Sequence, residues 1–336
     1  MKLRQGPVFN EAPPEEVVDF LRHRKIEASR LPADHVCVTV EGEELFLRVM
    51  NGRTREYPVR ESFFLKLLKW GSLPPAGIRR LSAETIAGIL NDLLLSITSG
   101  DVTIRTENGE AVTITSRHYS ELSDLDVIQT ALPLGISGIT RTDFFLRIYG
   151  TIHTQTDIKP GDTCGFGFNI LNSETGFRAL SAYHYILRYI CSNGAVVRLE
   201  GQEGRIHYRH PGGYLRRFLE EQLQPLEETR ENVVASVRRS ADAATPSERD
   251  PVYARLRALI GGRTFQGLLN TLPEKPSLFS MVNIITAHAR GLDPGQRLQL
   301  ESLAGELLMR QNRTDLSPVF AHPLIRKRGA PERTLV

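Results

Sequence analysis

Cysteine is scarce in this sequence, which has three among 336 residues: Cys37, Cys164 and Cys191. They form no C-x-x-C pair and their number is odd, which argues against a disulfide framework and favours buried free thiols in a reducing cytosol. No N-terminal segment has the apolar stretch of a signal peptide, and no apolar run approaches the length of about eighteen residues that a membrane helix needs. The sequence therefore predicts a soluble cytoplasmic protein without membrane contact.

Catalytic and nucleotide-binding motifs are also missing. No G-x-x-x-x-G-K-[ST] occurs and no G-x-G-x-x-G opens a helix, so the glycines of 161–167 are more typical of a strand with close backbone approach. His207 and His210 form the only close His pair and lack a second ligand cluster, so neither a metal nor a cofactor is predicted. Cys191 lies on an apolar face and Ser173 in a turn, which favours structural roles. The chain is expected not to be an enzyme, although that question stays open.

Charge of one sign does not dominate the chain, whose net charge is +3 and whose pI is near 8.8. Between residues 141 and 217, however, ten Lys and Arg residues face six Asp and Glu residues, an excess of +4. The segment 220–231 is acidic by contrast. Basic character is thus concentrated in the middle of the chain, as a phosphate-binding face requires. The alternative is a solvated surface that happens to favour Arg.

Apolar periodicity and turn signals predict an α+β fold, in which a mixed or antiparallel sheet with packed helices is followed by an all-helical section. The first half is predicted to contain helices and hairpins at these places: helices from Pro13, over 61–70 and from Ser82, and hairpins over 36–49 and 102–115. Asn108-Gly109 closes the second hairpin because both turn positions need a positive φ. Asp124 and Asp126 after Ser123 are typical of the start of a helix.

The second half begins with predicted strands over 144–152 and 164–171. A strand over 177–182 is predicted to run into a helix that Asn193-Gly194 ends, because the apolar period changes near Tyr183. A further hairpin is predicted over 195–209. The later elements are predicted to be helical: one long helix over 214–239, a linker over 241–251, and four short helices over 252–260, 265–272, 278–288 and 294–310.

These elements suggest four sections along the chain. They are an N-terminal helix and hairpin (1–54), an α+β core domain (55–240), a helical C-terminal section (252–317) and a mobile basic tail (318–336). Arg326, Lys327 and Arg328 supply the basic character of that tail. Segments at chain termini are often poorly ordered, which is the basis for expecting a mobile tail.

Arginine and aromatic residues are interleaved through the middle of the chain. Arg supplies bidentate phosphate contacts, and exposed aromatic rings can stack on unpaired bases. The candidate nucleic-acid-binding residues are Arg117, Arg178, Arg188, Arg209, His210, Arg216, Arg217, Tyr183, Tyr208 and Tyr214. The alternative interpretation is that most of these aromatic rings face the core while the arginines only solvate the surface.

Five phrases, in order along the chain, resemble a protein family. The central one runs from Asn172-Ser173-Glu174-Thr175-Gly176 through Ala179-Leu180 and Arg188 to Cys191-Ser192-Asn193-Gly194; the others lie at 57–62, 116–119, 209–213 and 280–289. Together they resemble phage- and plasmid-borne proteins that are catalogued as a domain of unknown function. The similarity spans roughly residues 55 to 310. His118, Pro211 and Gly213 depart from the family's phrases.

The resemblance implies a mobile-element protein that works near replication or recombination. The predicted core of strands and a helix is also similar to that of single-strand annealing proteins, in which rings hold single-stranded DNA along a basic groove. The leading hypothesis is a non-enzymatic, homo-oligomeric single-stranded-DNA-binding protein of the annealing type. The alternatives are a protein-interaction or host-regulatory module and a metal-dependent nucleic-acid-modifying enzyme.

Overall fold

The computed structural model describes residues 1–96, 100–116, 119, 121–159, 162–188, 193–197, 214–228, 230–247 and 250–309. Within these ranges the chain has an α+β fold, as predicted. The strands are β1 (Phe9–Ala12), β2 (Ile26–Pro32), β3 (Val36–Glu41), β4 (Glu44–Asn51), β5 (Arg53–Pro58), β6 (Asp101–Glu107), β7 (Glu110–Ser116), β8 (Gly138–Arg141), β9 (Leu146–Lys159), β10 (Asp162–Asn172), β11 (Ser181–Arg188) and β12 (Asn193–Val197). The helices are α1 (Pro14–His23), α2 (Glu61–Trp70), α3 (Pro75–Ile78), α4 (Ala83–Ser96), α5 (Asp124–Ala131), α6 (Tyr214–Glu228), α7 (Arg230–Ser240), α8 (Pro251–Ile260), α9 (Gly262–Asn270), α10 (Leu278–Ala289) and α11 (Pro294–Met309).

The first half of the chain forms two three-stranded antiparallel sheets, with the strand orders β3-β4-β5 and β2-β6-β7. Helices α2 and α4 pack on them, and Phe63, Leu67 and Leu90 are buried in one apolar cluster with Leu47 and Ile114 from the strands. A parallel bridge links the end of β5 to β7. Both predicted hairpins and both predicted helices of this region are therefore confirmed.

The turn between β6 and β7 adopts the predicted conformation. Asn108 has φ 52° and Gly109 has φ 81°, so both lie in the left-handed region that an Asn-Gly hairpin turn requires. Ser82 accepts a hydrogen bond from the backbone N–H of Thr85 (3.2 Å), which caps α4. Local turn and cap chemistry thus sets the boundaries of these elements.

A six-stranded antiparallel sheet in the order β1-β8-β9-β10-β11-β12 forms the centre of the fold. One face of this sheet is covered by α1, α5 and α6, where Val17, Val127 and Phe218 pack against Ile148 and Ile170. The opposite face carries a smaller apolar cluster that includes Tyr185 and Val196, together with Leu298 from α11. The middle strands are therefore buried on both faces.

The C-terminal helices pack against the same sheet. Cys164, Phe166 and Ala195 of β10 and β12 share one apolar cluster with residues of α7, α8, α10 and α11. The four predicted short helices are confirmed as α8 to α11, and the predicted long helix is present as α6 and α7 on either side of residue 229, which lies outside the described residues. None of the described helices is both long enough and apolar enough to span a membrane.

The prediction for residues 177–194 is wrong. No helix covers the described part of this segment: the chain runs as a loop to Leu180, continues as strand β11, and resumes at Asn193 as strand β12, which pairs antiparallel with β11. Leu180, Ile186 and Leu187 have helical spacing only because a strand covered on both faces carries apolar residues at consecutive positions. The predicted hairpin partner at 205–209 and the predicted basic tail lie outside the described residues.

Strand β11 places one histidine in the core. His184 is 3% exposed, and burial lowers its pKa to about 4. An unfolded His titrates near pH 6.5, so between pH 6.5 and 4 the unfolded chain binds more protons than the folded one. Above pH 6.5 the His184 imidazole is neutral in both the folded and the unfolded chain. As the pH falls from 6.5 to 4, the free energy of unfolding decreases because only the unfolded chain takes up the proton.

We expect the free energy of unfolding to decrease by about 2 kcal/mol between pH 7 and pH 5 because of His184 alone. Urea titrations at the two pH values measure this decrease, and the matched variant His184→Gln isolates it because Gln does not titrate. A decrease of the same size in the wild type and in the variant would contradict this role for His184.

Candidate nucleic-acid interface

A group of buried charged side chains lies where the two halves of the chain meet. We call it the buried ion cluster, and its members are Arg24, Arg60, Arg105, Glu107, Asp124, Arg141, Asp143 and Glu174. None of them is more than 9% exposed. They come from the residue after α1, the residue before α2, strand β6, the start of α5, the end of β8, the loop between β8 and β9, and the loop after β10. The cluster therefore connects the two small sheets to the central sheet.

Glu174 is the most highly connected carboxylate of the cluster. Arg24 donates to both of its oxygens (2.5 and 2.6 Å), and Arg105 donates to Oε2 (2.9 Å). The backbone N–H of Asp124 donates to Oε1 (2.6 Å). Burial by itself would raise the pKa of Glu174, but the hydrogen bonds from Arg24 and the charges of Arg105 and Arg141 lower it below the ordinary value. Glu174 is held as a carboxylate at neutral pH.

A second set of ion pairs in the cluster is built around Arg60. Its guanidinium donates to Glu107 (3.1 Å), to Asp143 (3.0 Å) and to Glu110 (2.7 Å). Glu107 also accepts from Arg24 (3.0 Å). Burial raises the pKa of a carboxyl, but the charges of the surrounding guanidinium groups keep the pKa of Glu107 below its ordinary value. The members thus compensate one another's charge inside the protein.

Asp124 has a different role from the one its sequence position predicts. It does begin α5, as predicted, and Ser123 is the N-cap of that helix. Its side chain, however, is buried and accepts from Arg141 (3.1 Å) and from the amide of Asn172 (2.8 Å). Burial and the nearby charge of Glu174 raise the pKa of Asp124 above its ordinary value. The helix start is therefore part of the ion cluster rather than a solvated charge.

The loop from Asn172 to Arg178 is fixed by this cluster and by further hydrogen bonds. Ser173 donates to the carbonyl of Phe144 (2.8 Å), and Thr175 donates to the carbonyl of Asp143 (2.7 Å). The turn passes through Gly176, whose φ of +74° favours glycine. The loop therefore has a defined conformation, and its last residues, 177 and 178, are partly exposed.

The end of this loop meets two lysines of α2. We call Lys66, Lys69, Phe177 and Arg178 the cationic surface. The ammonium groups of Lys66 and Lys69 lie 5.1 Å and 5.6 Å from the centre of the Phe177 ring. Lys66 is buried, Lys69 is exposed, and Arg178 is half-buried. The aromatic ring orders the two ammonium groups through cation–π contacts.

The electrostatics of the cationic surface are those of like charges held together. Lys66 donates to the carbonyls of Thr175 (3.0 Å) and Gly176 (2.8 Å). Burial and then the charge of Lys69 lower the pKa of Lys66 to about 8. Partial burial and then the charge of Arg178 lower the pKa of Lys69. The approach of an anion to the exposed Lys69 would relieve this repulsion.

Of the ten residues predicted to contact nucleic acid, Arg178 and Tyr183 lie on or near the central loop and sheet. The Arg178 guanidinium lies 5.6 Å from the centre of the Phe145 ring. Tyr183 is half-buried and packs against the apolar cluster on one face of the sheet. Of these two, Arg178 is the one that belongs to the cationic surface.

Arg216 and Arg217 lie on the outer side of α6, and both are exposed. Each forms an ion pair one helical turn along, to Glu220 (2.9 Å) and to Glu221 (2.8 Å). Leu215 and Phe218 of the same helix are buried against the sheet. The charge of this exposed surface is therefore balanced locally.

The remaining predicted residues are described only in part. Arg188 lies at the end of β11 and Tyr214 at the start of α6, and the positions of their side chains are not described. Four others lie outside the described residues: Arg117, Tyr208, Arg209 and His210. Their proposed contacts with nucleic acid stay predictions.

Several residues of the site were not predicted from the sequence. Lys66 and Lys69 lie three residues apart in a helix that is otherwise almost wholly apolar, ESFFLKLLKW. Two lysines in such a helix are a detectable signal, since a lysine near the core needs a compensating partner or a functional reason. The arginines of the buried ion cluster carry no comparable local signal, because their partners lie far away in sequence.

The described carboxylates are not arranged for metal binding or for acid–base catalysis. Within the described ranges, no three His, Cys, Asp or Glu side chains are placed to hold a metal ion together. The four carboxylates of the buried ion cluster converge, but each accepts hydrogen bonds from guanidinium groups. Their arrangement is that of charge compensation rather than of an acid–base pair open to a substrate.

Comparison with protein-family models, with curated proteins and with solved structures finds no match to this chain. The resemblance to the phage- and plasmid-borne family therefore stays a prediction. What the chain can bind has to be argued from the cationic surface itself.

Proposed function

We propose that this chain is a non-enzymatic, cytoplasmic protein that binds single-stranded DNA of a phage or plasmid. The observation that carries the proposal is the cationic surface, where the ammonium groups of Lys66 and Lys69 lie over the Phe177 ring and the charge of Arg178 acts on Lys69, beside a loop held by hydrogen bonds. Phosphate oxygens are the anions that such a surface binds in nucleic acids, through charge-assisted hydrogen bonds. Homo-oligomerisation and annealing are part of the same proposal and rest on the sequence resemblance alone, because the described part of the helix predicted after residue 182 is strand in the structure.

The geometry favours phosphate contacts over base stacking at this surface. Both lysine ammonium groups already lie over the Phe177 ring, and Phe144 meets that ring edge-on at a centroid distance of 5.2 Å. The ring therefore serves to hold the lysines. Binding that depends on phosphates has little sequence preference and weakens as salt is added.

Titration of a fluorescent single-stranded oligonucleotide, followed by anisotropy, tests the proposal. With two or three phosphates neutralised, we expect log K to fall with log salt concentration with a slope of about −1.5 to −2. The double variant Lys69→Gln plus Arg178→Gln is expected to lower the affinity at least tenfold, as loss of two phosphate contacts implies. Its thermal midpoint should stay near that of the wild type because Lys69 is exposed and Arg178 is half-buried.

The matched control is the double variant Arg216→Gln plus Arg217→Gln, which removes the same amount of charge from arginines already paired with Glu220 and Glu221. We expect its affinity to stay within about twofold of the wild type, since such exposed pairs are largely self-compensated. A larger loss in the control than in the Lys69 variant would move the binding site to α6. Absence of any binding at low salt would overturn the proposal and favour the protein-interaction alternative.

A further inference from the structure

The buried ion cluster encloses a small cavity. It is lined by Arg105, Glu107, Val112, Asp124, Arg141, Thr142, Asp143, Phe145, Glu174 and Thr175. All of these except Thr142 are buried. The cavity leaves about 10 Å³ for the centre of a water-sized molecule, which is the space that about one water needs. Nothing the size of a nucleotide or a metabolite fits in it.

Two hydrogen-bond donors of the lining residues are unsatisfied. Nη1 of Arg141 and Nε of Arg105 are buried and have no hydrogen-bond partner among the described residues. The other nitrogens of these guanidinium groups are used: Arg141 donates to Asp124 (3.1 Å), and Arg105 donates to Glu174 (2.9 Å). A charged donor left unsatisfied in the core costs more free energy than an ordinary lost hydrogen bond. An acceptor beside these two nitrogens would remove this cost.

The charge of the lining selects the kind of molecule. Two guanidinium groups and four carboxylates surround the cavity. An anion would meet the four carboxylates at close range, and a metal cation would meet the two guanidinium groups. A neutral molecule that can both accept and donate suits both signs of charge.

We infer that the cavity is a binding site for a single water molecule, which accepts a hydrogen bond from Arg141 or Arg105 and donates to the carboxylates around it. With two to four polar partners such a water is an integral part of a buried polar network. It supplies an acceptor to the cluster that joins β6, β8 and the loop after β10. The water has a structural role beneath the cationic surface and is independent of what that surface binds.

A high-resolution crystal structure of the full chain, from crystals soaked in sodium bromide, tests the inference. We expect one peak of water height within hydrogen-bond distance of Arg141 Nη1 and no anomalous bromide signal there. An anomalous peak would show an anion site, and an empty cavity would show that the donors stay unsatisfied. Either result overturns the inference.

Solution measurements give an independent test. Oxygen-17 relaxation dispersion counts waters that stay bound for longer than the tumbling time of the protein. Val112→Leu, which fills the cavity, is expected to lower that count by one relative to the wild type. Val237→Leu, an equal enlargement at a buried site outside the cavity, should leave the count unchanged. An unchanged count in Val112→Leu contradicts the inference, and if that variant does not fold, the crystallographic experiment decides.

Discussion

Glu174→Gln is expected to lower the free energy of unfolding by about 3–5 kcal/mol, because it leaves buried guanidinium groups without their compensating charge. Arg24 and Arg105 both donate to the Glu174 carboxylate, and both side chains are at most 3% exposed. The Gln side chain also replaces one acceptor oxygen by an NH₂ group, which is a donor and would face the guanidinium donors of Arg24 or Arg105. Since this loss is a large part of the stability of an ordinary domain, partial unfolding near 37 °C is expected as well.

Urea titration followed by circular dichroism measures the effect. The matched control is Glu221→Gln on α6. The Glu221 side chain is 49% exposed and pairs with Arg217, so its replacement is expected to cost less than about 1 kcal/mol. Equal losses in the two variants would show that the buried ion cluster does not contribute as its geometry implies.

Glu301→Gln is expected to have the second large effect. Glu301 of α11 is 1% exposed and pairs with Arg147 of β9 (2.5 Å) and with Arg297 one turn back (2.9 Å). Removing its charge leaves Arg147 buried at 3% exposure among Tyr149 and Tyr185, so a loss of about 3–5 kcal/mol in the free energy of unfolding is expected. Urea titration measures this loss.

The double variant Arg147→Met plus Glu301→Met distinguishes charge compensation from packing. Replacing a buried ion pair by apolar side chains of similar volume is often neutral or stabilising, and Arg297, which also loses Glu301, keeps Glu11 (2.5 Å) as a partner. We therefore expect the double variant to be more stable than Glu301→Gln alone. If the double variant instead loses the summed cost of the single changes, the pair contributes through packing that Met does not reproduce.

The fold illustrates how far local sequence signals reach. The helix over Glu61–Trp70 and the hairpin at Asn108-Gly109 follow from apolar spacing and turn chemistry, and both are present as predicted. Strand β11 was mistaken for a helix because apolar residues at consecutive positions satisfy either period. Its partner β12 and the helices on both faces decide its conformation, and these lie elsewhere in the chain.

The candidate site divides in the same way. Arg178 was predicted from its aromatic neighbours in sequence, and it is a member of the cationic surface, where its charge acts on Lys69. Lys66 and Lys69 are more than a hundred residues away in the chain and were not connected to Phe177, although their place in an apolar helix was visible. Arg216 and Arg217 were predicted from charge alone, which does not reveal the glutamates one turn along that compensate them.

The sequence by itself determined the α+β class, most helices, the hairpin turns and the concentration of basic residues in the middle of the chain. Only the tertiary structure decided which charges meet. Arg24 and Glu174 are 150 residues apart in sequence and 2.5 Å apart in space. Helix periods and turn preferences act over a few residues, whereas Coulomb energy and hydrogen bonding depend on distances that exist only after the chain has folded. The cluster beneath the loop, and with it the cationic surface, therefore had to be read from the structure.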